Sequence, residues 1–396
     1  MVEEAQEITL FVCGDVMTGR GIDQILPHPS RPQLHERYVS SALDYVALAE
    51  RHSGAIPRPV APAYIWGDAL TVIDSMRPDV RVINLETAVT ASDDAWPDKG
   101  IHYRMHPANI AALAALGPDC CVLANNHVLD WGRRGLCDTL DVLHAAGILT
   151  AGAGRSLAEA TAPACIAPRK RGARDDRSDS AVHEVAPGMP APAAECGRVL
   201  VFAVAVESSG VPRDWAATES RAGVAWLPDL SPAGAAAILD AVAAHRQPGD
   251  VVVVSIHWGP NWVYRIAPEQ RAFARLLVEG GADLVHGHSS HHPLGIEVYR
   301  QRLIVYGCGD FLNDYEGISG YAHFRPDLAL MYFPVIDANG GRLLRLTLVP
   351  TRIGRLRVNR ASAEDLAWLQ AMLNREGQPF GTRVARERDV LRLSWH

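Results

Sequence analysis

The chain has 396 residues, 48% of them hydrophobic, which is ample for a large core without disulfide or metal staples. Its 38 Lys and Arg stand against 45 Asp and Glu, a formal net charge of −7, and no long basic run occurs. That balance argues against an extended nucleic-acid or anionic-membrane surface.

The N-terminus, "MVEEAQEITLFVCGD", is acidic and enters a strand pattern at once, without a charged, apolar and cleavable leader. No later stretch reaches the length of a membrane span, so a cytoplasmic protein is expected. The first strand, 8–15, ends in Asp15. A helix at 66–76 leads to a strand at 81–86 that ends in Glu86. A helix at 108–116 then precedes "CCVLANNH" (120–127), which delivers Asn125, Asn126 and His127, and a helix at 133–146 follows. The sign-changing "APRKRGARDDRSDS" and the Pro/Ala-rich segment after it read as a solvated insertion at about 168–197, not as a domain boundary.

Strand 198–208, helix 233–246 and strand 251–259 come next, the last carrying His257. A helix at 268–280 and a strand at 283–288 run into "LVHGHSSHHP", four histidines within seven residues. Strands at 303–311 and 328–336 and two hairpin-like pieces follow. The helix 362–377, with Ser362 as N-cap, belongs to a helical extension at about 360–396. The seven cysteines form no CxxC pair and mostly lie in apolar runs, as reduced core residues do. Strands alternating with amphipathic helices predict one α/β domain over 1–396.

Ligands of α/β sheets sit beyond the carboxyl ends of the strands, and here those ends collect Asp15, Glu86, Asn125, Asn126, His127, His257, His288 and His291. Taken singly, Asp15 reads as a turn residue, Glu86 as a helix cap, His257 as a core histidine and part of the histidine run as a solvated loop. Taken together, carboxylate, amide and imidazole donors with no thiolate suit Mn, Fe or Zn, and six plausible ligands among these eight residues exceed the needs of one tetrahedral ion. A centre of two divalent ions with open positions follows as the expectation.

The blocks "FVCGDVMTGRG", "NLETAVT", "LANNHVLDWG", "SIHWGPNW", "GADLVHGHSSHHPLGIEVY" and "LIVYGCGDFLND" resemble, in order and spacing, those of the poly-γ-glutamate capsule-synthesis (CapA) family of calcineurin-like metallophosphoesterases. The resemblance covers most of residues 8 to 315 and implies a four-layered αββα sandwich. It also implies metal ligands Asp15, Glu86 (as bridge), Asn126, His257, His288 and His291, with His127 catalytic and His286 and His292 left over. Three departures stand out: Met17 where the superfamily offers His, Glu86 in place of Asp, and Asp310 in place of Asn, the last a second candidate catalytic group. Within the family the chain looks like a soluble subgroup of lasso-peptide epimerases. That implies inversion of a precursor peptide's C-terminal Trp through a metal-stabilised enolate, with the peptide as partner and neither nucleic acid nor membrane. The alternatives are a metal-dependent phosphoesterase or a capsule-synthesis accessory protein.

Overall fold

In the strand Val199–Val206 every residue is buried, and side chains alternate between two faces. Val199, Val201, Ala203 and Ala205 enter one core, whereas Leu200, Phe202, Val204 and Val206 enter another. The strand Val251–His257 repeats the division, with Val251 and Val253 on one side and Val252, Val254 and Ile256 on the other. A strand buried on both faces needs a layer on each side. A computed structural model describing residues 7–169 and 197–396 supplies both layers.

These two strands are central to a 7-stranded sheet in the order 226–227, 199–206, 251–257, 284–288, 302–305, 296–299, with Ala164–Ile166 beside Val199–Val206. Helices Pro232–His245 and Pro268–Glu279 cover its outer face through Ile238, Val242, Phe273 and Leu277. Its inner face packs on a 10-stranded sheet. That sheet runs 382–387, 390–395, 343–353, 328–337, 7–16, 80–85, 120–122, 149–151. Strands 7–16, 80–85, 120–122 and 149–151 are mutually parallel. Helices Asp68–Met76, Ile110–Leu116 and Gly132–Ala145 bury Val72, Leu113 and Leu140 in the same core. The architecture is the four-layered αββα sandwich.

Three expectations change in detail. The run at 303–311 is two strands in different sheets, Arg302–Val305 in the smaller and Asp310–Leu312 beside Glu7–Val16 in the larger. An unbroken apolar run hides the crossover, which takes place at Gly307 and at Gly309 with φ 76°. The strand expected over 120–127 stops at Val122, because Asn125 N–H turns back to the Leu123 carbonyl. In the C-terminal extension the α-helix covers Ala363–Gly377, and a short 3-10 turn covers Gln378–Phe380. Strands Thr382–Glu387 and Val390–Trp395 then form a hairpin on the edge of the larger sheet. The insertion at about 168–197 lies, apart from its ends, outside the described residues. Among the described residues, no helix is long and apolar enough to cross a membrane.

At Gly14, one residue before Asp15, a Cβ would lie 1.7 Å from the Gly309 carbonyl oxygen. Both partners are backbone, so neither can rotate away. Gly14→Ala is expected to destabilise the protein by about 3 kcal/mol in urea unfolding. A loss below about 1 kcal/mol would show that the two strands separate easily.

Candidate metal centre

Parallel pairing brings the polar strand ends into register. Asp15 lies opposite both Asn84 and Asp310, and His257 lies opposite His288. His257 shares the inward parity of Val251 and Val253, and His286 and His288 share that of Leu284. Their rings therefore enter the space between the sheets.

A hydrogen-bond chain fixes those rings. His286 Nε2 lies 2.8 Å from the Cys13 carbonyl oxygen, which can only accept, so Nε2 carries the proton. His286 Nδ1 then accepts from Ser255 Oγ at 3.0 Å, and Ser255 Oγ accepts from His288 Nε2 at 2.9 Å. His288 Nδ1 is left with its lone pair facing His257 Nδ1 at 2.9 Å and Asp15 Oδ1 at 3.9 Å. His286 thus ties the smaller sheet to the larger one. All four clustered histidines are buried, so none forms the solvated loop that their density in the sequence allowed.

Two groups of mutually close ligand atoms result: Asp15, His257 and His288, and Asp15, His291 and Asp310. Asp15 belongs to both. In the second, His291 Nδ1 lies 2.8 Å from Asp310 Oδ1. His291 Nε2 contacts Asn261 Nδ2, and Asp310 Oδ2 accepts from Asn313 Nδ2 at 2.7 Å. Glu86 lies just outside these groups, 3.9 Å from His127 Nε2 and 4.0 Å from His257 Nδ1. Asn84 Nδ2 joins the two carboxylates, donating to Asp15 Oδ1 at 2.7 Å and Glu86 Oε2 at 3.0 Å. Asn126 is half-buried and belongs to neither group of close ligand atoms.

Buried polar atoms are nearly always paired, so unpaired ones call for a ligand. Among the described residues, Asp15 Oδ2, Asn126 Oδ1 and His257 Nε2 are buried with no hydrogen-bond partner. All three belong to residues expected to bind metal, and a hard divalent cation fits oxygen donors beside neutral imidazoles. Electrostatics agrees. Burial and the nearby Asp310 push the Asp15 carboxyl up to about 7, and burial and Asp15 raise Glu86 well above the carboxylate range. Burial holds His257 and His288 well below the usual histidine range, so they stay neutral. Burial opposes charge on His291 as well, yet the bonded Asp310 raises it above that range.

His127 stands apart as a proton carrier. Its Nδ1 lies 2.7 Å from Asp130 Oδ2, an oxygen that also accepts from Tyr103 N–H at 2.6 Å. Lys99 Nζ lies 2.5 Å from Asp130 Oδ1. Lys99, and His127 in turn, keep Asp130 below the usual carboxylate range despite its burial. Burial, then the Lys99 charge, lowers His127 to about 4, so near pH 7 its Nε2 is an open proton acceptor on the Glu86 side. The edge of the Tyr103 ring packs against it at 4.5 Å.

Sequence reasoning missed Asn84, Ser255 and Lys99. Asn84 had a signal, since it lies two residues before Glu86 and so on the same strand face. Lys99 had none, because tertiary folding alone brings its loop to Asp130.

The raised carboxylates set a pH dependence. A carboxylate whose folded pKa exceeds its unfolded value contributes stability below the unfolded pKa and loses it as pH rises through the folded one. The depressed histidines act only below their ordinary 6.5, so above pH 7 the raised carboxylates and the raised His291 remain, and both lose stability as pH rises. The melting temperature of metal-stripped protein is expected to fall between pH 7 and 8.5, and Mn²⁺ should raise it most at pH 8.5. An added-metal effect independent of pH would contradict the shifts of Asp15 and Glu86.

The model of a bacterial capsule synthesis protein family, PGA_cap, matches residues 9–174 and 190–315. A probable polyglutamine synthesis accessory protein of Mycobacterium tuberculosis is 46% identical over 385 residues, covering 97% of this chain and 95% of its own length. The capsule biosynthesis protein CapA of Bacillus anthracis is 25% identical over 354 residues, covering 88% of this chain and 68% of its own. A solved phosphatase of Mycoplasma pneumoniae superimposes over 92% of this chain and 97% of its own with a TM-score of 0.44 and 10% identity.

Proposed function

Because this chain belongs to the bacterial capsule synthesis protein family, we propose that it is a metal-dependent accessory protein of glutamate- or glutamine-polymer synthesis, with a centre of hydrolytic type. The observation that carries the reading is the near full-length similarity to a polyglutamine synthesis accessory protein, which a shared fold alone does not produce. The centre's chemistry is supported by the two groups of mutually close ligand atoms that share Asp15, and by buried atoms without hydrogen-bond partners on Asp15, Asn126 and His257. The epimerase expectation rests on resemblance within the family, and the names of these relatives favour the accessory reading over it.

In this reading Asp15, His257 and His288 would hold one divalent ion, and Asp15, His291 and Asp310 the other, with Glu86 and Asn126 as further donors. Mn, Fe and Zn suit the donor set, and such ions polarise substrate oxygens and make a bound water more acidic. The chain's own residues do the rest. Asn84 fixes the mutual position of Asp15 and Glu86. His127 exchanges a proton at Nε2 with the reacting group, and Asp130 holds the ring in the tautomer that leaves Nε2 free.

Deleting the gene should lower polymer yield, and the wild-type gene, but not one encoding Asp15→Asn, should restore it. Purified metal-loaded protein should then be offered a phosphoester dye, a glutaminyl polymer, and a Trp-terminated peptide in D₂O. Deuterium at the peptide's terminal α-carbon, with no effect of deletion on the polymer, would return the epimerase to first place.

A further inference from the structure

The loop Asn313–Asp327 has two faces. One touches the metal centre, through Asn313 bonded to Asp310 and through Tyr315, whose ring meets His291 edge-on at 5.4 Å. The other lines a cavity of ≈ 580 Å³, to which Asn313 and Tyr315 also contribute. That volume suits a small ligand or a short chain segment. We propose that this cavity is a subsite for an uncharged, carboxamide-bearing chain, placed to hold the substrate next to the reacting centre. The assignment rests on the polymer-accessory reading above.

The charges of the lining select the ligand. Arg325 forks onto both oxygens of Asp327, at 2.8 and 2.9 Å, and reaches Asp365 at 2.6 Å. Glu316 is spent on Arg355 N–H, Leu356 N–H and the Ser53 hydroxyl. Glu364 is exposed at the edge. Across the lining two arginines meet four carboxylates, so a further carboxylate on the ligand is repelled. A ligand cation gains less than this net charge suggests, because Asp327 and Asp365 already hold guanidinium partners and Glu364 stands at the exposed edge. Arg352 is the adaptable donor. It lies 3.2 Å from Asp327 and 3.6 Å from Asp365, and its side chain is 46% exposed. A primary amide accepts from such a donor through its carbonyl and donates to carboxylate oxygens through its nitrogen. Both needs are met without burying a net charge.

The test is calorimetric titration of the metal-loaded protein with N-acetylated, C-amidated triglutamine, triglutamate and trilysine at physiological salt. Triglutamine should bind at least tenfold more tightly than the other two. Ala322→Trp, which fills the cavity from an exposed position, and Arg352→Met, which removes the donor, should each weaken triglutamine at least tenfold with metal content unchanged. Equal binding of triglutamate or trilysine, no binding of any peptide, or wild-type affinity in both folded variants would overturn the assignment. If deletion leaves polymer yield unaffected while this binding pattern holds, the accessory reading fails and the amide subsite stands.

Discussion

Asp15→Asn is expected to lose both metal ions while keeping the fold. Asp15 is the residue common to both groups of close ligand atoms, and its Oδ2 is buried without a protein partner. Asparagine keeps the shape and can still accept the Asn84 amide at Oδ1. A neutral side chain suits a site that already drives Asp15 toward protonation. Metal affinity should fall by more than the roughly 10–100-fold typical of losing an outer-shell partner, since an anionic ligand shared by two ions disappears. Glu86→Gln removes a carboxylate that lies outside both groups, so it should retain at least one ion. Elemental analysis of the two purified variants decides the matter. If Glu86→Gln is the variant stripped of metal and Asp15→Asn keeps an ion, Glu86 is the bridge, as the family resemblance implies.

Much of this centre was legible because parallel strands write their function at their ends. Continuous apolar runs marked strands covered on both faces, and the polar residues at their ends, Asp15, Glu86, His257 and His288, lie buried and close to one another. What escaped depends on contacts between distant segments. The four histidines gave no hint that His286 would tie two sheets together, since its partner is a backbone carbonyl 273 residues away. The run at 303–311 looked like one strand because hydrophobicity does not record which sheet a residue joins. Only Gly307 and Gly309 mark the crossover that delivers Asp310 to Asp15. The C-terminal hairpin was passed over because its exposed arginines, Arg383 and Arg386, fall on both parities of the strand and interrupt a period-2 pattern carried by few apolar residues.

His127→Ala is expected to separate proton transfer from metal binding. The ring contacts Asp130, Lys99 and Tyr103, and it is absent from both groups of close ligand atoms. The variant should therefore keep wild-type metal content and lose about 10²–10⁴-fold in turnover on whichever substrate the wild type processes. Lys99→Met should lie between the two proteins. It removes the cation bonded to Asp130 Oδ1 but leaves the Asp130 Oδ2 contact that sets the His127 tautomer. Its effect should fall on kcat, because Lys99 acts through Asp130. A loss confined to KM would instead make Lys99 a substrate-binding cation. If His127→Ala loses its metal together with its activity, the ring is a ligand and the proton must be carried by another group, Asp310, bonded to His291, being the second candidate. If activity survives within a few-fold at full metal content, the Lys99–Asp130–His127 arrangement serves to hold the loop beside the centre and takes no part in the chemistry.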